Sequence, residues 1–282
     1  MSISENSVDV GLLQWFYREA NPINDSDQLP ILLLHGLPSQ SLCWEALMPD
    51  LGGQGFKAIA PDWIGSGSSA KPDKRDFAYT PDAFIAALAD LLKHLEIEQF
   101  HLVVQGFLAS VGLQYALRNP DQVERLVILN TPLSPAAKLP WQMQQWGIPL
   151  VGDMLTQDPL LVDRTLEKGS GYRIEDKYLD VYRKPFLKTS DTGRSLLATI
   201  KNLQIKESMA EIESGLHSWE KPTLICWGMQ DPWLPFTQAQ QLAGTLKQVE
   251  LVKLEEAGHY PQEHWSGKIS EVLLPFLRRQ LG

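Results

Sequence analysis

An α/β protein, with a largely parallel sheet and helices on both of its faces, is the fold class the sequence predicts. Three observations predict it. Short runs of Val, Ile and Leu alternate along the chain with segments of helical periodicity. The runs are nearly continuous in apolar residues, as strands covered on both faces are. The alternation stops at about Ser134 and resumes at about Lys221, which marks an insertion in an otherwise regular pattern.

Taken in order, the chain opens with a polar, acidic stretch from Met1 to Val10, without the basic start and apolar run of a signal peptide. Strands are predicted at Ile31–Leu34, Lys57–Ala60, Phe100–Val104, Val123–Leu129, Thr223–Trp227 and Val249–Leu254. Helices are predicted at Ser39–Leu51, Thr80–Leu95 and Leu108–Arg118. Thr80-Pro81-Asp82 is a helix start, with the proline in the first turn, where its missing N–H is no loss. The interval from 134 to 220 reads as a helical cap, with Tyr178, Tyr182 and Arg183 on one helical pattern and Ser195–Leu203 on another. Residues 1–133 and 221–282 then form the core domain. Ligands of open α/β sheets bind beyond the carboxyl ends of the strands, so a cap placed there roofs a pocket. Trp141 and Trp146 open the cap and are either its core anchors or part of the pocket wall.

Composition narrows the function. Of 282 residues, 44% are hydrophobic and 21% charged, which excludes disorder as the main state and allows one large core with an insertion. With 25 Lys and Arg against 34 Asp and Glu, the net charge of −9 repels phosphates, so a nucleic-acid partner is not expected. Cys43 and Cys226 lie far apart in apolar stretches and read as buried free thiols of a reducing, cytoplasmic compartment. No apolar run reaches the roughly 18 residues of a membrane span. No metal-ligand spacing, cofactor motif or internal repeat is present, and the expected partner is a small molecule.

Four strand ends carry loops with chemical content. His35-Gly36-Leu37-Pro38 follows the first predicted strand, and its glycine lets backbone N–H groups approach a ligand, half of an oxyanion hole. Asp62-Trp63-Ile64-Gly65-Ser66-Gly67-Ser68 is a tight turn of small residues after the second. Trp227-Gly228-Met229-Gln230-Asp231-Pro232 and Ala257-Gly258-His259-Tyr260-Pro261 place an acid and then a histidine after the last two. Acid before histidine is the second half of a Ser…Asp…His order.

With these four loops in order, the chain resembles the α/β-hydrolase superfamily, and within it the haloalkane dehalogenase and epoxide hydrolase branch, from about Leu13 to Leu277. The resemblance implies that Asp231 orients His259 and that His259 acts as general base. It further implies that Nδ1 of His259 faces the Asp231 carboxylate, with Glu256 as the rival acid. The family places Ser or Asp in a sharp strand-to-helix turn. Here Val103-Val104-Gln105-Gly106-Phe107-Leu108-Ala109-Ser110 puts Gly106 at that position, with φ > 0 expected and no side chain to attack a substrate. Leu108 stands where a small residue is usual. A shifted register makes Ser110 the nucleophile, at the expense of an overlong strand and a short helix; Cys43 is a weaker rival. Phe107 and Leu37 occupy positions where dehalogenases carry halide-binding donors. Asn130, at the alternative acid position, is not a carboxylate. Tyr178 and Tyr182 stand where epoxide-polarising tyrosines are sought.

Two functions follow. One is an enzyme without a covalent intermediate, in which the His259–Asp231 dyad deprotonates a substrate or water while the N–H groups of Leu37 and Phe107 hold an oxyanion. Some members of the superfamily, such as lyases and cofactor-independent oxygenases, rely heavily on that dyad. The other is a non-catalytic binding or regulatory protein, as in the superfamily's hormone receptors. Retention of both Asp231 and His259 favours the first; loss of the elbow side chain favours the second.

Overall fold

The computed structural model describes residues 2–24 and 26–279. An eight-stranded sheet is built from β1 (Ser4–Val10), β2 (Leu13–Ala20), β3 (Ile31–Leu34), β4 (Ala58–Pro61), β5 (Phe100–Gln105), β6 (Val123–Leu129), β7 (Thr223–Gly228) and β8 (Val249–Leu254), in the order β1-β2-β4-β3-β5-β6-β7-β8. From β4 to β8 every neighbouring pair is parallel; β1, β2 and β4 pair antiparallel. The six predicted strands are therefore present, with ends shifted by at most one residue.

The N-terminal hairpin is the addition. Strand β1 reads Ser-Glu-Asn-Ser-Val-Asp-Val and lies at the sheet edge, half exposed, so it lacks the apolar run that reveals the buried strands. Its signal is local: Gly11 at φ +61° and Leu12 form a two-residue turn that pairs Val10 with Leu13.

Helices follow the crossovers: α1 (Met48–Gly53), α2 (Pro81–His94) and α3 (Ser110–Arg118) before the insertion, then α10 (Thr237–Ala243), α11 (Pro261–His264) and α12 (Ser266–Arg278) after it. Thr80 caps α2, its hydroxyl accepting from Ala83 N at 3.3 Å. The predicted helix over 39–51 is instead a 3-10 turn at Ser41–Trp44 followed by α1. Pro49, in the first turn of α1, has no N–H for a longer helix running through it. Between β6 and β7 lie six helices: α4 (Trp141–Gln145), α5 (Val151–Leu155), α6 (Leu160–Ser170), α7 (Asp176–Lys188), α8 (Asp191–Asn202) and α9 (Ile205–His217). The two helical patterns read from the cap sequence are α7 and α8. No helix among the described residues is long and apolar enough to cross a membrane.

Polar contacts at several points pin this insertion to the core. Gln40 Nε2 donates to Val181 O at 3.1 Å, Tyr79 and Ser195 hydroxyls meet at 2.8 Å, and His259 N donates to Gly169 O at 2.7 Å. The chain runs from β3 outward to β4 on one side and then crosses to β5 on the other. Adjacent β3 and β5 thus form a topological switch point, where the loops beyond the carboxyl ends diverge and leave a crevice.

The sheet centre is fully buried, and His101 in β5 is buried with it. Its Nδ1 has no partner, its ring stands edge-on to Phe56 at 6.1 Å, and burial, with the nearby positive charge of Arg125, lowers its pKa to about 4. In the unfolded chain the ordinary value is about 6.5. Between those values the unfolded state holds a proton that the native state refuses, so stability is lost as pH falls from 6.5 toward 4. Urea denaturation at pH 7 and pH 4.5 is expected to show a loss about 2–3 kcal/mol larger in the wild type than in His101→Phe. His35, also lowered by burial, acts in the same direction and persists in both proteins.

Candidate active site

Gly106 ends β5 and turns the chain toward α3 with φ +85°, a conformation that other L-residues adopt only under strain. Its N–H donates to Asn130 O at 3.2 Å. The turn packs against the loop after β3 at very short range. A Cβ on Gly36 would lie 2.7 Å from Gly106 Cα and 2.8 Å from Gln105 O, and a Cβ on Gly106 would lie 2.9 Å from Gly36 Cα. Backbone meets backbone, with no side chain between. The same hypothetical Cβ of Gly106 is 3.7 Å from Nε2 of His259. The amides of Leu37 and Phe107, both in buried residues flanking this contact, donate to no acceptor among the described residues.

His259 and Asp231 meet as the resemblance implies: Nδ1 lies 2.7 Å from Asp231 Oδ2, and both side chains are essentially inaccessible to solvent. Glu256 instead faces Lys268 at 3.7 Å. Four donors converge on the Asp231 carboxylate. Oδ1 accepts from the amides of Trp233 (2.8 Å) and Leu234 (3.1 Å), and Oδ2 accepts from Asn130 Nδ2 (2.8 Å) as well as from the imidazole. Because a carboxylate oxygen accepts, Nδ1 donates to it, and Nε2 is left without a hydrogen-bond partner. That atom faces the bare turn at Gly106.

Sequence reasoning missed several supports of this imidazole. Phe107 lies nearly parallel to it at 5.3 Å, while Trp233 and Tyr260 stand edge-on, each at 4.8 Å. Tyr260 donates its hydroxyl to Leu37 O at 2.7 Å and so ties the histidine loop to the glycine loop. Gln105 donates to the His259 carbonyl at 2.7 Å. Asn130 sits at φ +33°, and its amide brackets Gly228 while bracing Asp231. A polar residue at a buried strand end was the available signal for each glutamine and asparagine.

The remaining candidates fall elsewhere. His35 is buried with both ring nitrogens engaged, Nδ1 at 2.8 Å from Gly36 O and Nε2 accepting from Trp63 N at 3.2 Å, so it shapes the loop. Ser110, buried at the first turn of α3, donates its hydroxyl to Phe107 O at 2.7 Å. Leu108 is buried in the turn itself. Trp146 is buried within the cap, whereas Trp141 is 73% exposed and is neither core nor enclosed wall. Tyr182 is buried, but its hydroxyl donates to Glu263, and Tyr178 lines a separate outer cleft. Cys43 and Cys226 are buried, unpaired thiols whose pKa values burial raises. No group of three or more potential metal ligands occurs among the described residues. A void of about 20 Å3 touching Leu37, Phe186 and Leu196 lies under the cap, space for about one water molecule.

Gly36→Ala tests the backbone contact. The added methyl meets main chain, which has little freedom to give, and overpacking of this kind typically costs about 1–3 kcal/mol. The urea midpoint is expected to fall accordingly at an unchanged denaturant slope.

Comparison with known proteins agrees with this architecture. A haloalkane dehalogenase from Bradyrhizobium elkani superimposes with a TM-score of 0.87 over 98% of both chains at 24% identity, and a putative ancestral haloalkane dehalogenase with 0.84 over 96% of this chain and 98% of its own at 26% identity. In sequence, the chain is 29% identical over 270 residues to the cis-3-alkyl-4-alkyloxetan-2-one decarboxylase of Shewanella oneidensis, covering 90% of this chain and 84% of that one. It is 28% identical over 277 residues to the haloalkane dehalogenase of Mycolicibacterium paratuberculosis, covering 94% and 88%. The family model described as the alpha/beta hydrolase fold matches residues 30–264. With its sheet order, its helical insertion and this match over most of its length, the chain belongs to the α/β-hydrolase family.

Proposed function

We propose that this protein acts on a small, predominantly apolar molecule by general-base chemistry at His259, without a covalent enzyme intermediate. The observation that carries the proposal is an oriented imidazole, its Nε2 free, facing an elbow that bears no side chain. In this reading Asp231 holds the ring and balances the charge that forms on it, and Nε2 takes a proton from a water or from the substrate itself. The unengaged amides of Leu37 and Phe107 receive the developing oxyanion. Relatives named for haloalkane dehalogenation and for decarboxylation of an alkyl-substituted oxetanone support the substrate class. Halide release has no side-chain donor at Leu37 or Phe107, so dehalogenation itself is not part of the proposal.

A second reading, ligand binding without turnover, draws on a different observation. His259 is fully buried against Phe107, and the elbow is closed on Gly36. A screen of short apolar esters and lactones separates the two. General-base catalysis typically contributes ~10²–10⁴-fold, so His259→Gln is expected to reduce any turnover by about that factor. Mass spectrometry of the quenched wild-type reaction is expected to show unmodified protein. An acyl adduct that disappears in Ser110→Ala would overturn the proposal, as would turnover indifferent to His259→Gln. Saturable binding with no turnover of any compound would favour the second reading.

A further inference from the structure

Six of the eleven large apolar side chains exposed among the described residues fall between positions 141 and 160: Trp141, Ile148, Leu150, Val151, Met154 and Leu160. Exposed apolar residues scattered singly are ordinary in a folded protein, whereas a contiguous group marks an interaction surface. The first five are joined by α4, α5 and the turn between them. These two short helices pack on each other, and Gly152 N donates to Ile148 O at 2.6 Å to close the turn. Their inward side is already used. Met143 and Trp146 are buried, and a Cβ on Gly152 would lie 2.1 Å from Trp146 O, so the outer apolar groups have no further core to join. Val151 and Met154, three residues apart, share one face of α5. Leu150 precedes them at φ +66°, strained for a residue with a Cβ, and its side chain is 79% exposed.

Lysines border this face. Lys168 on α6 donates to Gln142 Oε1 at 2.9 Å, beside Trp141, and Lys138 lies three residues before that tryptophan. Lys201 on α8 passes 3.7 Å from where a Cβ of Gly147 would stand. All three are exposed. The nearby acids are engaged: Asp158 with Arg164, Asp191 with Arg194, and Asp153, the one acid of α5, with the Leu150 amide at 3.1 Å. Lys138, Lys168 and Lys201 are left without a carboxylate partner among the described residues.

We propose that this face docks on an anionic lipid bilayer, with the five apolar side chains entering the interface and the three lysines meeting the headgroups. Tryptophan and aliphatic groups bordered by lysine are the composition that settles at a membrane surface. A second copy of the chain fits less well. A stable interface between proteins takes roughly 20–30 residues a side, far more than this patch offers, and a two-fold pairing apposes patches of the same charge. The net charge of −9 opposes the contact only weakly at physiological salt, because charges beyond a Debye length of about 8 Å are largely screened. Nothing in the proposal depends on turnover at His259.

The test is flotation of the full chain with vesicles of phosphatidylglycerol and phosphatidylcholine, beside vesicles of phosphatidylcholine alone. Binding to the anionic vesicles is expected, and its loss at about 1 M salt, where the Debye length is about 3 Å. The double substitution Leu150→Ser, Met154→Ser is expected to weaken partitioning at least roughly tenfold. Lys168→Gln and Lys201→Gln are each expected to weaken it about fivefold. A second measurement needs no loss of binding: brominated acyl chains are expected to quench the fluorescence of the bound wild type, and to quench Trp141→Phe less. No flotation with anionic vesicles, equal binding to the neutral ones, or binding indifferent to the double substitution would each overturn the proposal. So would a concentration-dependent dimer in sedimentation velocity that the double substitution disperses, which would give the face to a second copy.

Discussion

The approach of Gly36 to Gly106 is the constraint on which the rest of the site depends. Neighbouring parallel strands β3 and β5 deliver their loops to the same point, and the chain passes there only because neither residue carries a Cβ. Leu37 and Phe107 follow directly, so the separation of their amides is set by main chain rather than by packing of flexible groups. Positions fixed in this way need no reorganisation when charge develops nearby, the condition under which hydrogen-bond donors are most effective. The same contact makes the elbow intolerant of a side chain. Restoring Ser or Asp at 106 requires the two loops to move apart by some tenths of an ångström, in addition to the strain of φ +85° in a residue with a Cβ.

Around that contact Asp231 and His259 are held redundantly. Asp231 receives two backbone amides, one side-chain amide and the imidazole, which uses both lone-pair directions of each oxygen or nearly so. Asn130 occupies the strand end where a second carboxylate would compete for the ring, and instead donates to the one that is present. His259 is further boxed by Phe107, Trp233 and Tyr260, whose rings leave it one orientation. Such a shell preserves the geometry of the His259–Asp231 pair whether or not a side chain stands opposite at position 106.

Much of this was legible in the sequence, and the exceptions have physical causes. Buried parallel strands announce themselves as apolar runs, and loops at their ends are short, so β3 to β8 and the positions of Gly36, Gly106, Asp231 and His259 all follow from pattern. The β1–β2 hairpin did not, because an edge strand with one solvated face has a polar composition. Nor did the bracing by Asn130, Gln105 and Tyr260, since those contacts join residues 101, 154 and 223 positions apart, and only the fold brings them together. Trp141 was ambiguous for a different reason: large aromatics are usually buried, and the first helix of the cap turns this one outward.

The hydrogen bond from the His259 amide to Gly169 O has a mechanical meaning. It is the backbone of His259 itself that holds the end of α6, and a Cβ on Gly258 would lie 2.3 Å from that same carbonyl. Lifting the insertion at this edge would break that bond, which joins the end of α6 to the backbone of the residue whose imidazole meets Asp231.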